Sequence, residues 1–312
     1  MRIVSLFSGA GGLDLGLIRA GHIVVYANDI DAHAAETYRR NIGDHIECAD
    51  IKDVDVAKLP DADVVVGGFP CQGFSQANRF RHVDDARNVL YTFFYETVKV
   101  KQPKFFIAEN VKGILSLGGG DALKTIVSDF KKAGYSITVT LVNMADYGVP
   151  QTRQRVIFFG QREGLSDHWL FRFPVPTHGR KGLPRPWVSI ERAIGYLPDP
   201  DGAHVLSNHV YSAYKLAFRN YTGHRVTDKD KPSPTILARG NGGGGVCAIP
   251  HYNGKRRLTI RESASVQTFP EDFVFAGAMN ACYRQIGNAV PVLFAEKLGE
   301  ELMRIEREEL AP

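Results

Sequence analysis

From Ile3 to Phe159, short apolar runs alternate with stretches of helical periodicity. Ile3–Phe7 stops at a glycine-rich turn, Ile23–Asn28 at Asp29, Val64–Val66 at Gly67-Gly68, and Phe105–Ala108 at Glu109. Ile137–Val142 and Val156–Phe159 complete the strand pattern. Between them, Leu13–Ala20 reads as a helix ending at Gly21, and Asp31 is placed to cap a helix running to Asn41. Ala86–Lys101 is helical and closed by Pro103, and Asp121–Ala133 is helical too. Uninterrupted apolar runs separated by helices indicate strands buried on both faces. The expected fold is therefore α/β, a mostly parallel, doubly wound sheet. Such sheets bind ligands beyond the carboxyl ends of their strands. The segments after Phe7, Asn28, Val66 and Ala108 all fall there.

The texture changes near Phe171. Prolines at 174, 176, 184, 186, 198 and 200 punctuate the chain, Gly242–Gly245 is a run of glycines, and neither strand nor helix periodicity is strong. A smaller, loop-rich module is expected. Pro291 then opens an amphipathic helix with Val292, Phe294 or Ala295, Leu298 and Leu302 at helical spacing, suited to packing back on the sheet. The expected division is 1–170 with 287–312 as one domain and 171–286 as the second, in keeping with 312 residues at ~150 per domain.

At 44% hydrophobic and 23% charged residues the chain has ordinary globular usage, which argues against a disordered or fibrous protein. Apolar runs such as Val64–Val66 and Phe105–Ala108 are far shorter than the ~20 residues of a membrane helix. The Ile3–Leu17 segment is interrupted by Gly9, Gly11, Gly12 and Asp14 and lacks a small-residue cleavage site, so a cytoplasmic protein is expected. The net charge of +4 is uneven. Pro174–Arg261 holds 14 Lys/Arg against 5 Asp/Glu, and the remainder 24 against 29. A basic module on a slightly acidic one fits a polyanionic partner, most simply nucleic acid, or a merely solvated basic face. Cysteines stand at 48, 71, 247 and 282, with no metal-type spacing and no disulfide framework.

In the first turn, Phe7-Ser8-Gly9-Ala10-Gly11-Gly12-Leu13-Asp14, glycines let a ligand approach the backbone at a helix amino terminus. A dinucleotide fingerprint would require glycine at position 14, where Asp14 stands instead. An acid there disfavours a pyrophosphate and tolerates a nucleoside. Asp29, 20 residues beyond Gly9, is placed to accept hydrogen bonds from ribose hydroxyls. A dinucleotide binder and a plain tight turn remain the alternatives. The second notable segment is Gly67–Ser75. Cys71 there follows a buried strand at the ligand rim, with Pro70 stiffening one side and Gly73 loosening the other. A thiolate in that place is a soft nucleophile, where a buried cysteine would be inert.

These segments belong to a longer series. Phe7–Leu17, Asn28-Asp29, Asp50-Ile51, Gly67–Ser75, Glu109-Asn110-Val111, Gln151–Arg155, Arg261–Phe273 and Gln285–Pro291 resemble, in order, the motifs of bacterial DNA (cytosine-5)-methyltransferases across nearly the whole chain. The resemblance implies the S-adenosylmethionine-dependent methyltransferase type of sheet. It also implies S-adenosylmethionine as cofactor (S-adenosylhomocysteine as product), no metal, and a cleft between two domains. The target-recognition region would lie between Gly160 and Arg261. The chemistry accounts for the residue types. Attack of the Cys71 thiolate on carbon 6 of cytosine makes an enamine whose carbon 5 accepts the methyl group. Loss of the carbon-5 proton and expulsion of Cys71 restore aromaticity. Glu109, protonated or sharing a proton at the end of its strand, would donate to ring nitrogen 3; taken alone it is equally a cap or an ion-pair member. Asn110 would orient the loop. In Gln151–Arg155, two arginines share one face of an extended segment. By resemblance Arg155 hydrogen-bonds the base oxygen 2 and supports Glu109, and Arg153 sits beside the nucleophile and a backbone phosphate. The base must be extruded from the duplex to reach them.

The family's cofactor contacts fall on Phe7, Ser8, Gly9, Ala10, Gly11, Gly12 and Leu13, with Asp29 on the ribose and Ile30 stacked on adenine. Asp50 and Ile51 lie at the adenine edge, Gly68, Phe69, Pro70 and Leu90 in the wall, and Asn288 and Ala289 return from the carboxyl-terminal helix. DNA contacts fall on Gln72 and Ser75, on Arg79, Arg81 and Arg87 in the following loop, and on Thr235 and Arg239 as readers. Arg239 is suited to guanine or to phosphate alone. Arg256 and Arg257, with His224, Arg225 and Lys255, are expected to grip phosphates. The expected partner is double-stranded DNA, bound by a monomer and associated with the nucleoid. A cognate restriction endonuclease would be a companion. A transfer-RNA cytosine methyltransferase would use the same catalytic segments, and a catalytically silent DNA-binding module is the non-enzymatic alternative. An amino-methyltransferase would carry Asp/Asn-Pro-Pro-aromatic where Gly68-Phe69-Pro70-Cys71 stands.

Overall fold

The protein is described by a computed structural model covering residues 1–69, 89–179, 183–213, 216, 227–238 and 249–310. A seven-stranded sheet forms its centre, made of β1 (Arg2–Leu6), β2 (Ile23–Asp29), β3 (Ile46–Cys48), β4 (Val64–Gly67), β5 (Phe105–Val111), β6 (Tyr135–Asn143) and β7 (Gln154–Arg162). The strand order is β3-β2-β1-β4-β5-β7-β6. The first five strands run parallel, and β7 lies antiparallel to both β5 and β6.

The helices are α1 (Gly12–Arg19), α2 (Ala32–Asn41), α3 (Val89–Lys101), α4 (Asp121–Lys132), α5 (Ile190–Ile194), α6 (Ile260–Val266), α7 (Met279–Asn288) and α8 (Val292–Glu308). Asp31 caps α2 as expected, accepting from the amides of His33 and Ala34.

The apolar runs work as two-faced strands. Ile3, Val64, Val66, Phe105, Ile107, Ile157 and Phe159 face one core, closed by Leu17 of α1 and by Phe294, Leu298 and Leu302 of α8. Val4, Leu6, Val65, Phe106, Ala108, Val156 and Phe158 face the other, with Phe94 and Val98 of α3 and Ile126 and Phe130 of α4. Neighbouring residues serve opposite cores, so no polar residue interrupts the run. Helices α1 and α8 cross closely because Gly16 leaves room; a methyl there would meet the Val292 carbonyl at 2.5 Å. A third core joins Ile190 and Ile194 of α5, Ile236, Ile260 and Ala264 of α6 and Cys282, Tyr283 and Ile286 of α7 to Ala10 of the sheet domain.

Several expectations change. Strand β5 continues through Glu109 to Val111, so Glu109 is not at its end; antiparallel pairing with β7 extends it. Strand β3 and helices α5–α7 carried no strong periodicity because they are short or buried on several sides. The expected boundary at 286/287 falls inside α7, and Asn288 ends that helix instead of beginning the carboxyl-terminal one.

Candidate active site

Several strands end side by side. Leu6 pairs with Asn28 and with Gly67, Gly67 with Ala108, and Asp29 with Cys48. Phe7, Asp29, Asp50 and Gly68 therefore stand along one edge of the sheet, with Glu109 beside them one residue past the Gly67–Ala108 pairing and still within β5. Phe7 has φ 56°, a left-handed conformation that a non-glycine residue holds only under local constraint. Gly9 and Gly11 follow at φ 57° and 84°, and Gly11 caps α1 without any side-chain hydrogen bond. The Ser8 amide donates to the Asn28 carbonyl at 2.9 Å. Asp29 ties the turn down, because its two oxygens accept from the amides of Gly9 (2.7 Å) and Asp31 (2.8 Å). Burial holds its carboxyl above the ordinary value even so.

Ile30 stands beside it with 68% of its surface exposed, a large apolar side chain left open at the strand edge. Asp50 caps the short turn Ile51–Asp53 by accepting from the Lys52 amide, with Ile51 buried beneath. The side chains of Ala10 and Leu13 are turned into the core, which leaves only their backbone to a ligand. Phe69 differs from the expected pocket wall. Its ring is buried among Tyr91, Phe94 and Phe158, and partly buried Leu90 packs on the same core. Ala289 and Val290 do return to the glycine turn. A methyl on Gly12 would run into the Val290 carbonyl and stand 3.2 Å from the Ala289 Cβ.

On the adjoining side, the antiparallel register sets Val111 against Arg155 and Glu109 against Ile157. The Arg155 Nε lies 2.7 Å from Glu109 Oε1. The two atoms are out of line for a hydrogen bond, which leaves that buried oxygen without a donor. A Cβ on Gly68 would stand 3.5 Å from Glu109 Oε2, so the chain leading to Cys71 passes directly over the carboxyl. Asn110 donates to the Phe69 carbonyl at 2.9 Å and anchors the start of that segment. Arg155 also lines a cavity of about 400 Å³ with Lys112, Asn143, Thr152, Gln154 and Thr235.

Arg153 departs from its expected place. It is 1% exposed, and its guanidinium donates to the carbonyls of Ile236 (3.1 Å) and Gly287 (3.0 Å). Burial and the charge of Arg155 bring it down to about 9. So enclosed, it reaches no phosphate; the shared face of the extended segment sends one arginine to Glu109 and the other into the interior. Pro70, Cys71, Gln72, Ser75, Arg79, Arg81, Arg87, His224, Arg225 and Arg239 lie outside the described residues.

The sequence profile described as C-5 cytosine-specific DNA methylase matches residues 1–199 and 187–304. The chain belongs to this family. Type II methyltransferase M.NgoFVII of Neisseria gonorrhoeae is 37% identical over 97% of this chain and 87% of its own. Type II methyltransferase M.BspRI of Lysinibacillus sphaericus is 36% identical over 96% and 81%. A solved structure from an E. coli prophage, described as a DNA modification methyltransferase, superposes with a TM-score of 0.79 at 25% identity, covering 99% of this chain and all of the other. The protein is thus a cytosine-5 DNA methyltransferase, an enzyme of restriction-modification type, and the transfer-RNA alternative is not supported. The family's methyl donor is S-adenosylmethionine.

For a DNA methyltransferase, two of the basic residues expected on phosphates are elsewhere. Arg257 is 1% exposed and turned into the protein. Arg256 forms a two-pronged pair with Glu262, both contacts at 2.7 Å, and lies over the Tyr211 ring. Lys255 is exposed. Thr235 reaches the cavity, although its hydroxyl donates inward to the Thr152 carbonyl at 2.6 Å. Sequence reasoning passed over Lys112, a cation directly after Glu109-Asn110-Val111 that donates to Gln154 at 3.2 Å on the cavity rim. It also passed over the role of Asp14. This carboxyl is wholly buried under the glycine turn, accepts from Ser5 (2.7 Å) and Tyr38 (2.9 Å), and is pushed up by burial to about 6.

No group of three or more metal-ligating side chains occurs among the described residues, and no helix among them is long and apolar enough to cross a membrane.

Proposed function

We propose that this enzyme methylates carbon 5 of a cytosine extruded from duplex DNA, by a covalent route through Cys71. The observation that carries the reading is the Arg155–Glu109 pair at 2.7 Å, set beside a cavity rimmed by Thr235 and beneath the glycine that leads to Cys71. The Cys71 sulfur bonds to ring carbon 6, and the electron pair displaced into the ring falls on nitrogen 3, for which Glu109 is the group placed to pass on a proton. Arg155 faces base oxygen 2 and fixes the carboxyl. Two cationic groups on the cavity, Lys112 and Arg155, with the Glu109 carboxyl against the second, suit charge that develops on the ring. Arg153 acts one step removed, holding backbone.

The residues at the strand edge fit an adenosine. Asp29 offers remaining lone pairs to ribose hydroxyls, Ile30 an open apolar face to the adenine, and Asp50 an acceptor at its edge. The glycine turn, Asn288 and Ala289 close the methionine side. Bound there, S-adenosylmethionine supplies an electrophilic methyl group. Residues 1–170 with the carboxyl-terminal helix form the catalytic domain, and residues from 171 to the end of α7 carry recognition. On this reading the enzyme acts as a monomer on nucleoid DNA in the cytoplasm, and the type II relatives fit a restriction endonuclease of the same specificity as companion.

DNA substituted with 5-fluorocytosine tests the route, because fluorine blocks the final proton loss. A denaturation-resistant adduct is expected with the unaltered chain and none with Cys71→Ala, which keeps its affinity for S-adenosylhomocysteine. Methylation by Cys71→Ala at normal turnover would refute the assignment. Bisulfite sequencing of DNA from expressing cells reads the recognised site.

A further inference from the structure

Gln151 and Gln267 are both fully buried, and neither touches the proposed reaction centre. Their amides meet end to end, with Gln151 Nε2 donating to Gln267 Oε1 at 2.9 Å. At one end, Gln151 Oε1 accepts from the Ile236 amide at 2.9 Å. At the other, Gln267 Nε2 donates to the carbonyls of Ile286 (2.7 Å) and Ala289 (3.2 Å). Neither amide can turn over by itself. Reversing Gln151 would set its NH2 against the Ile236 N–H, and reversing Gln267 would set its oxygen against two carbonyls.

Two further contacts run parallel to this line. Arg153 bridges the Ile236 and Gly287 carbonyls. The α7 end lies so close to the strap Ser233–Ala238 that a methyl on Gly287 would stand 2.5 Å from the Ala238 nitrogen. The strap contains Thr235 and precedes Arg239 in the sequence. The turn at Ala289–Val290 rests on Gly12 of the glycine loop.

We propose that Gln151 and Gln267 are positioning residues which link the cofactor pocket to the root of the DNA-recognition segment, so that filling the pocket steadies the strap and DNA binding in turn tightens cofactor binding. The inference rests on the cofactor reading above. The physical basis is directional. A ligand that restrains the turn restrains two carbonyls whose shared donor holds the second amide, and the second amide holds the strap. Coupling between two sites is reciprocal, and for one such link a factor of about ten is of ordinary size.

Hydrogen exchange of the unaltered, full-length protein reads the link. S-adenosylhomocysteine is added alone, and its binding is measured by titration calorimetry. Exchange at the Ile236 amide is expected to slow about tenfold. Binding with an unchanged Ile236 rate overturns the link and leaves the cofactor reading standing; failure to bind removes both. The Gln267→Met variant supplies a second readout. The ratio of S-adenosylhomocysteine affinities with and without a methylatable duplex is expected to fall about tenfold towards one, whereas affinity without DNA changes less than about threefold. A merely structural glutamine would lower the melting temperature and leave the ratio alone, and an unchanged ratio in folded protein overturns the proposal. Should the variant not fold, the exchange measurement decides.

Discussion

Asp14 and Glu109 are both carboxyls of the sheet domain, and their surroundings divide them. Glu109 lies against the guanidinium of cavity-lining Arg155, whereas Asp14, in the interior, accepts from two hydroxyls. Asp14 therefore titrates near 6 in the folded chain and at its ordinary 3.8 once unfolded. Its folded pKa is the higher one, so its stabilising contribution is complete below about pH 3.8 and lost as pH rises through about 6. The span is on the order of 3 kcal/mol. Asp14→Asn is expected to lose this slope. The melting-temperature difference between the unaltered chain and the variant should be flat above about pH 6 and should shift in favour of the unaltered chain as pH falls towards 4; a difference that does not vary with pH would contradict the assignment. Position 14 was legible as unsuited to phosphate, from its place after the glycines. That Ser5 and Tyr38 meet there was not, because their contact depends on how α1 and α2 cross the sheet.

At the scale of elements, the apolar runs were legible because each strand residue serves one of two cores. The amphipathic pattern after Pro291 was equally plain, and α8 buries Val292, Phe294, Ala295, Leu298, Leu302 and Ile305. Leu298→Ala is expected to destabilise the protein by about 2–5 kcal/mol through lost burial and an unfilled cavity. Chemical denaturation would check this, and a loss below about 0.5 kcal/mol would place that face in solvent. The extension of β5 past Ala108 was hidden. Glu109 and Asn110 are poor strand formers by composition, and only the antiparallel partner β7 holds them extended. The same pairing brings Arg155 to Glu109, a partnership that the family resemblance implied and for which the shorter strand gave no geometric reason.

At the scale of the whole molecule, the basic excess between Pro174 and Arg261 overstates the charge available to DNA. Arg257 and Arg261 are buried, Arg261 donating to the carbonyls of Pro270 and Phe273, and Arg256 is neutralised by Glu262. Lys255→Ala should weaken DNA binding alike for all sequences and lower the salt slope by about one unit, as for a single phosphate contact. Arg256→Ala should instead leave Glu262, 2% exposed, without its guanidinium partner, and lower stability by roughly 3–5 kcal/mol. Filter binding over a range of salt and thermal unfolding separate the two effects. A Lys255 variant with an unchanged slope would remove that residue from the interface.

What the sequence determined by itself was the α/β class, the alternation of the longer strands and helices of the sheet domain, and the family. Each of these is written in local periodicity or in short motifs whose residues are neighbours in the chain. What only the tertiary structure decided was which of several like residues stays at the surface or the cavity and which is buried. Arg155 reaches Glu109 while Arg153 turns inward, Phe69 packs in the core while Ile30 stays open, and Lys255 is exposed while Arg256 is paired. Spacing assigns a side chain to a face of its own segment. Burial and partners come from other segments of the chain, and for Arg153 these are Ile236 and Gly287, 83 and 134 residues further on.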